Sequence, residues 1–255
     1  MSGLLLVEQV LNGLQFGLML FLLAAGLTLV FGVMDMINLA HGSLYMVGAF
    51  VGAWVAGLSG SFALGLVAAV LATAAFGMAL EASLLRPLYA RDHLSQVLAT
   101  FALILILNDG VRMTFGTDLP LAAPAALDGP VELLPGLQYP AYRLLILGAG
   151  LCAVAGVLMG PLLAVQVGMG ENILILAFVV IVVGGIGSIR GALVGALLVG
   201  AIDTLGRTLL LQLFREFLPP QWASAAGPAV ASVLIYVFMA AVLAIKPQGL
   251  FPARG

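Results

Sequence analysis

Long apolar runs alternate with short polar joints along this chain. Runs near 10–33, 43–58, 61–85, 94–115, 143–163, 171–189, 191–213 and 228–246 approach or reach membrane-crossing length. About 20 apolar residues cross a hydrocarbon core of about 30 Å as a helix. Helices are the expected form, because lipid offers no partner to an unpaired backbone amide. The pattern predicts an all-α fold, a polytopic transmembrane helix bundle of about 7–8 spans. It forms one transmembrane domain over 1–255. The second run is short, and the polar stretch Asp35-Met36-Ile37-Asn38-Leu39-Ala40-His41-Gly42 precedes it. A broken helix is expected near residues 34–58. Irregular backbone at membrane depth is tolerated only where protein or a water-filled cavity receives its polar groups.

The joints carry the polar and proline residues. Residues 86–93 form one, with Arg86, Pro87, Arg91, Asp92 and His93. The longest, 116–142, holds Pro120, Pro124, Pro130, Pro135 and Pro140, a density that forbids a continuous helix. The last, 214–227, holds Arg215, Glu216, Pro219, Pro220 and Trp222, the tryptophan suiting an interfacial anchor.

Composition makes lipid the main solvent. The chain is 63% hydrophobic and 8% charged, with mean hydropathy +1.23, whereas a soluble domain carries about 25% charged residues. A net charge of −2 argues against nucleic acid. One cysteine, Cys152, gives no disulfide framework and no metal-ligand spacing, so no metal or cofactor is expected. The first run lacks a basic leader, so it is expected to be a retained span. The chain has no phosphate-binding loop, its only lysine is Lys246, and no catalytic constellation stands out. Arginine and lysine set orientation. With 34–42, 86–93, the turn at 190 and the tail inside, Arg86, Arg91, Arg190, Lys246 and Arg254 are inside. Arg112, Arg143, Arg207 and Arg215 are then outside.

Asp35, Asn38 and His41 are the candidate pathway residues. Alternatively, Asn38 and His41 cap and tether a broken helix whose backbone Gly42 relieves. The two readings are compatible, since broken helices in transporters line the pathway. Gly184, Gly185, Gly187 and Gly191 make a tight turn between two spans, and Gly191-x-x-x-Gly195 opens the next helix as a packing face. Gly48 belongs to the same class of packing residues. Asp203 and Arg207, four apart, pair near an interface. Glu81, Arg86 and Arg91 either anchor the interface or present a docking surface to a cytoplasmic partner. Asn108 and Asp109 lie late in the fourth span, near the outer interface.

Four stretches, in order, resemble one known family. They are Met36-Ile37-Asn38-Leu39-Ala40-His41-Gly42-Ser43-Leu44-Tyr45-Met46-Val47-Gly48-Ala49, then Leu85-Arg86-Pro87-Leu88 with the span holding Leu98-Ala99-Thr100. The others are Gly184-Gly185-Ile186-Gly187-Ser188-Ile189-Arg190-Gly191-Ala192-Leu193-Val194-Gly195 and Lys246-Pro247-Gln248-Gly249-Leu250-Phe251. The chain resembles the permease subunits of branched-chain amino acid ABC importers. The resemblance implies a heterodimer with a second homologous permease in the bacterial inner (cytoplasmic) membrane. It implies two cytoplasmic ATPase subunits, a periplasmic amino-acid-binding protein and no ATPase chemistry in this chain. Permeases for urea and short amides share the motifs and remain an alternative. So do a stand-alone channel or secondary transporter and a transport-defective structural subunit.

One departure stands out. Family members are longer and carry a basic cytoplasmic segment in the second half that docks on the ATPase. Here the fifth run passes from Arg143 to Gly170 without it. With 86–93 and the tail both inside, 116–142 and 164–170 both lie outside. Two outside points need an even number of crossings, and 143–163 suffices for one. Either that run does not cross, or the second half is inverted, or about 40–50 residues have been lost near 143–165.

Overall fold

The computed structural model describes residues 3–34, 36, 38–124, 127, 129–134, 137–143 and 165–252. Helices dominate. They are α1 (Gly3–Met34), α2 (His41–Ser59), α3 (Phe62–Leu80), α4 (His93–Phe115), α5 (Met169–Gly184), α6 (Ile189–Phe217) and α7 (Pro220–Ile245). A π turn at Glu81–Leu85 and a 3-10 turn at Arg86–Leu88 prolong α3. Six helices among the described residues are long and apolar enough to cross a membrane: α1, α2, α3 with its extension, α4, α6 and α7. Helix α5 is apolar but has 16 residues, about 24 Å at 1.5 Å per residue. The fifth expected span lies outside the described residues from position 144 onward.

Polar side chains start several helices. Ser61 and Asp92 accept hydrogen bonds from the backbone N–H of Leu64 (3.4 Å) and Ser95 (3.1 Å), and Ser188 accepts from Gly191 N (3.0 Å). Each satisfies an N–H that has no partner within the helix.

One expectation about the joints is corrected. Residues 214–227 are almost wholly helical: α6 runs to Phe217 and α7 starts at Pro220. Proline suits a first helical position, where its missing N–H would have no partner anyway. Pro228 lies inside α7, and its carbonyl accepts from Ser232 Oγ (3.0 Å). The described residues of the long joint form no continuous helix, in keeping with their prolines. Strands β1 (Asp118–Leu119), β2 (Pro130–Leu134), β3 (Leu137–Pro140) and β4 (Val165–Gln166) form two antiparallel pairs, β1 with β4 and β2 with β3.

The chain divides into two compact units, each assembled from separated stretches. The first comprises Met1–Thr28, Gly129–Gly150 and Leu176–Gly255; the second comprises Leu29–Asp128 and Leu151–Ile175. In the first, α6 and α7 form a hairpin, and small residues bring α1 onto α6. A Cβ on Gly200 would meet Gly13 O at 2.6 Å, and one on Gly17 would meet Ala196 O at 2.8 Å. In the second, α2 and α3 run antiparallel, with Gly48 facing Thr73 and Gly65 facing the backbone of Gly52 and Ala56. Phe115 at the end of α4 stacks against Phe50 and Trp54 of α2. Helices α3 and α7 are only 11% buried over their most apolar windows. Their exposed faces are apolar, as at Leu71 and Met78 on α3 and Val233 and Val237 on α7.

Candidate functional site

The break before α2 lies in the second unit. Asn38 is buried, at 6% exposure. Its Oδ1 accepts from Ala40 N (3.0 Å), and its carbonyl accepts from His41 N (3.5 Å). The Ala40 carbonyl accepts from Ser43 N and Leu44 N, which begins the helix. Asn38 therefore acts as a local tether that closes the turn on itself. His41 stands half-buried at the first helical position. Asp35 lies outside the described residues.

The depth of this break follows from its neighbours. Ala40 belongs to a buried cluster with Leu80, Leu103, Ile104 and Leu107, against which Leu39, Leu44, Phe76 and Leu85 pack. Leu103 to Leu107 are the middle of α4, which runs from His93 to Phe115. The interruption thus falls within the depth that α4 spans. Helix α2 starts there against α5. A Cβ on Gly42 would collide with Gly170 O, and one on Gly170 would collide with Gly42 O. Only glycine allows two backbones to touch in this way. Next to this contact, Gly168 N donates to Met46 Sδ (3.4 Å). The hydroxyls of Ser43 and Tyr45 on α2 and of Thr73 on α3 are buried with no protein partner.

The far end of the same unit bears on topology. Strand β1 pairs with β4 through Asp118↔Gln166 and Leu119↔Val165, and Val167 N donates to Thr117 O (3.0 Å). The Asn108 amide donates to the Glu171 carboxylate. The end of α4 and the start of α5 therefore share one face. The expected neighbourhood of the joint after α4 and the segment before α5 is thus met on the described residues at its two ends, 117–119 and 165–167. Glu171 carried no sequence signal, since its partner stands 63 positions away.

The 81–96 region is self-locking. Arg86 Nε and Nη2 donate to the two Glu81 carboxylate oxygens (3.2 and 3.1 Å), and Tyr89 OH donates to Glu81 Oε1 (3.2 Å). Gln96, at 3% exposure, donates from Nε2 to Leu88 O (3.3 Å) and Arg91 O (3.1 Å). Arg91 itself is exposed. Hydrogen bonds from the Ser95 side chain and backbone hold the Asp92 carboxyl below its usual range. Gln96 organises the turn, yet an isolated glutamine in an apolar run gave no hint of this.

The first unit holds three further groups. The turn after α5 meets the tail: Leu250 N donates to Val183 O (2.9 Å) and Phe251 N to Gly184 O (2.8 Å). The tail thereby satisfies carbonyls that α5 leaves open. Gly185 (φ +111°) and Gly249 (φ +83°) adopt left-handed backbone, and a Cβ on Gly249 would meet Gly185 Cα at 2.6 Å. Gly184 and Gly191 touch reciprocally, and a Cβ on Gly195 would meet Val180 O at 2.6 Å. Gly187 also takes positive φ, at +79°. Two motifs far apart in sequence are thus one structure. Elsewhere, Asn12 Oδ1 accepts from Tyr139 OH (3.0 Å) and Arg143 Nη1 (2.6 Å), tying β3 to α1.

The third group is the Asp203–Arg207 pair, which forms as its four-residue spacing predicts. Asp203 is the middle residue of the 29-residue α6, and Arg207 turns back toward it. Arg207 Nη2 and Nε donate to Asp203 Oδ1 (2.6 and 2.9 Å), and Nη2 donates to Ser232 Oγ (3.3 Å) on α7.

A family model, branched-chain amino acid transport system / permease component, matches residues 9–120 and 141–243. The high-affinity branched-chain amino acid transport system permease protein BraD of Pseudomonas aeruginosa is 25% identical over 307 residues, covering 96% of this chain and 95% of the relative. LivH proteins of the same description, from Salmonella typhimurium and Escherichia coli K12, are 25% identical over 280 residues, covering 82% of this chain and 89% of each relative. No solved structure matches. The chain is a multi-pass membrane protein, and the family description makes it one component among others of a transport system. With membrane-spanning helices, a helix broken at depth and a match over most of its length, this chain belongs to the branched-chain amino acid transport system permease family.

Proposed function

We propose that this chain is the permease subunit of an ATP-binding-cassette importer that moves branched-chain or related amino acids across the bacterial inner membrane. The observation that carries this reading is the helix break at the mid-depth of α4, in a chain of this permease family. A second homologous permease supplies the other half of the path. Two cytoplasmic ATPases supply the energy, and a periplasmic binding protein delivers the amino acid. ATP-driven closure rocks the permeases and opens the path to each side in turn. Asn38, His41 and Asp35 are the pathway residues of the break. The tether from Asn38 and the buried hydroxyls of Ser43, Tyr45 and Thr73 support a polar route there. Glu81, Arg86 and Arg91 face the ATPases.

The test is leucine uptake into proteoliposomes by the complete complex. ATP-dependent uptake is expected. Asn38→Ala or His41→Ala is expected to lower it while the complex still assembles. Normal uptake by both variants removes these residues from the route.

A second reading has its own support. The alignment with BraD runs over 307 residues, although this chain has 255. Many positions of the relative thus face gaps here, as an internal loss near 143–165 requires. The pairing of β1 with β4 agrees, since a single run between them cannot return to its starting face. On this reading the chain lacks the ATPase-docking segment and is a poorly coupled or structural subunit. Recovery of the ATPases with the permease pair argues against it, and their loss from an intact pair supports it.

A further inference from the structure

We propose that the faces of α6 and α7 carrying Asp203, Arg207 and Ser232 line the substrate route, and that the ion pair holds the zwitterionic end of the amino acid. This rests on the importer reading and adds to it a site in the first unit, apart from the break.

Depth is the first argument. Asp203 is central in α6, and Ser232 is at the middle of the 26-residue α7. No other charged residue lies between Arg190 and Arg215, and none lies within α7. Both helices are apolar enough to cross a membrane. The pair therefore stands at the middle of two helices of membrane-crossing length.

Exposure is the second. The Arg207 side chain is 45% exposed, whereas that of Asp203 is 11% exposed. A guanidinium facing lipid ordinarily extends to the headgroups. This one turns back to Asp203 and Ser232 and stays at depth. A charge held there calls for water or a polar ligand on its open side, not hydrocarbon.

Complementarity is the third. Both strong bonds from Arg207 fall on one carboxylate oxygen, Asp203 Oδ1. The two Nη1 N–H groups of Arg207 remain, and each can donate a charge-assisted hydrogen bond to a carboxylate oxygen. Asp203 Oδ2 suits an ammonium. An α-amino acid carries both groups on one carbon, at the spacing of an adjacent acid and base. Val233 (57% exposed) and Leu209 (46% exposed) supply apolar surface for a hydrocarbon side chain on the same two helices.

The experiment uses the complete transporter in proteoliposomes. The single native thiol is removed by Cys152→Ser, and Ser232→Cys is labelled with a charged, membrane-impermeant methanethiosulfonate. Reaction is expected, and saturating leucine with the binding protein and ATP is expected to slow it. A companion double variant, Asp203→Asn with Arg207→Gln, leaves no lone charge and is expected to assemble. Its leucine uptake is expected to fall on the order of tenfold, the scale of a lost charge-assisted hydrogen bond. An unreactive thiol at 232, or normal uptake by the double variant, overturns the inference. Failure of the double variant to hold the second permease assigns the face to the partner subunit and also overturns it. Absence of ATP-driven uptake by the unmodified complex instead overturns the importer reading itself.

Discussion

The break before α2 and the Asp203–Arg207 pair are both polar interruptions at membrane depth, and they solve the same problem oppositely. At the break the helix is lost, and the polar side chain that shapes the described turn, Asn38, is neutral. Asn38 spends its oxygen on Ala40 N, and the turn is buried among leucines. At the pair the helix is unbroken and the polar groups are charged. They satisfy one another across one turn, with the arginine left partly open. Neutral groups can be sealed into an apolar core once hydrogen-bonded, because no charge is desolvated. A half-open ion pair stays expensive in lipid and persists only where something polar meets it. The break thus shows a polar group satisfied by its own turn, and the pair a charge left partly open.

The largest expected effect attacks the shape. Gly42→Val drives a Cβ into the Gly170 carbonyl, which overpacks a backbone contact that has no slack. Stability is expected to fall by about 3 kcal/mol, with loss of monodisperse complex in detergent. Next comes the charge. Arg207→Ala strands a nearly buried carboxylate and is expected to cost about 2 kcal/mol, below the roughly 3–5 kcal/mol of a fully buried pair because the arginine is half open. The neutral double variant is expected to recover most of that loss in a thermal-aggregation assay. Equal damage from both would mean that packing of the arginine stem, rather than charge, sets the effect. Asn38→Ala is expected to destabilise by about 1 kcal/mol, the scale of a lost helix-start hydrogen bond, and Asn38→Asp to retain part of it.

The smallest effect is a control outside both regions. Hydrogen bonds from Ser95 depress the folded-state pKa of Asp92. A depressed carboxyl stabilises above its unfolded pKa of about 3.9 and loses that contribution as pH falls through its folded value. Thermal scans from neutral pH into the acid range are expected to lose this increment in the parent. Asp92→Asn is expected to flatten it.

Much of the architecture was legible because one rule dominates: lipid demands apolar helices of a minimum length. The runs at 43–58, 61–85 and 94–115 correspond to α2, α3 and α4 within a few residues. The start of α7 was not legible. Pro228 reads as a breaker, yet a first-position Pro220 and the Ser232 contact to the Pro228 carbonyl accompany an uninterrupted helix. Strands of two to five residues amid prolines carry no periodic signal, so β1 to β4 were invisible. Gln96 and Glu171 were missed because their roles are written in partners, not in themselves.

By itself the sequence determined that the chain lives in lipid, where its helices run and where its backbone breaks. Those properties follow from the solvent each residue prefers and from its immediate neighbours. Tertiary structure alone decided that Gly42 meets Gly170, that the tail closes the end of α5, and that α4 and α5 share a face. These depend on contacts between residues tens of positions apart. Short-range pattern cannot encode such contacts, since an apolar helix is compatible with many neighbours until small residues and hydrogen bonds select one.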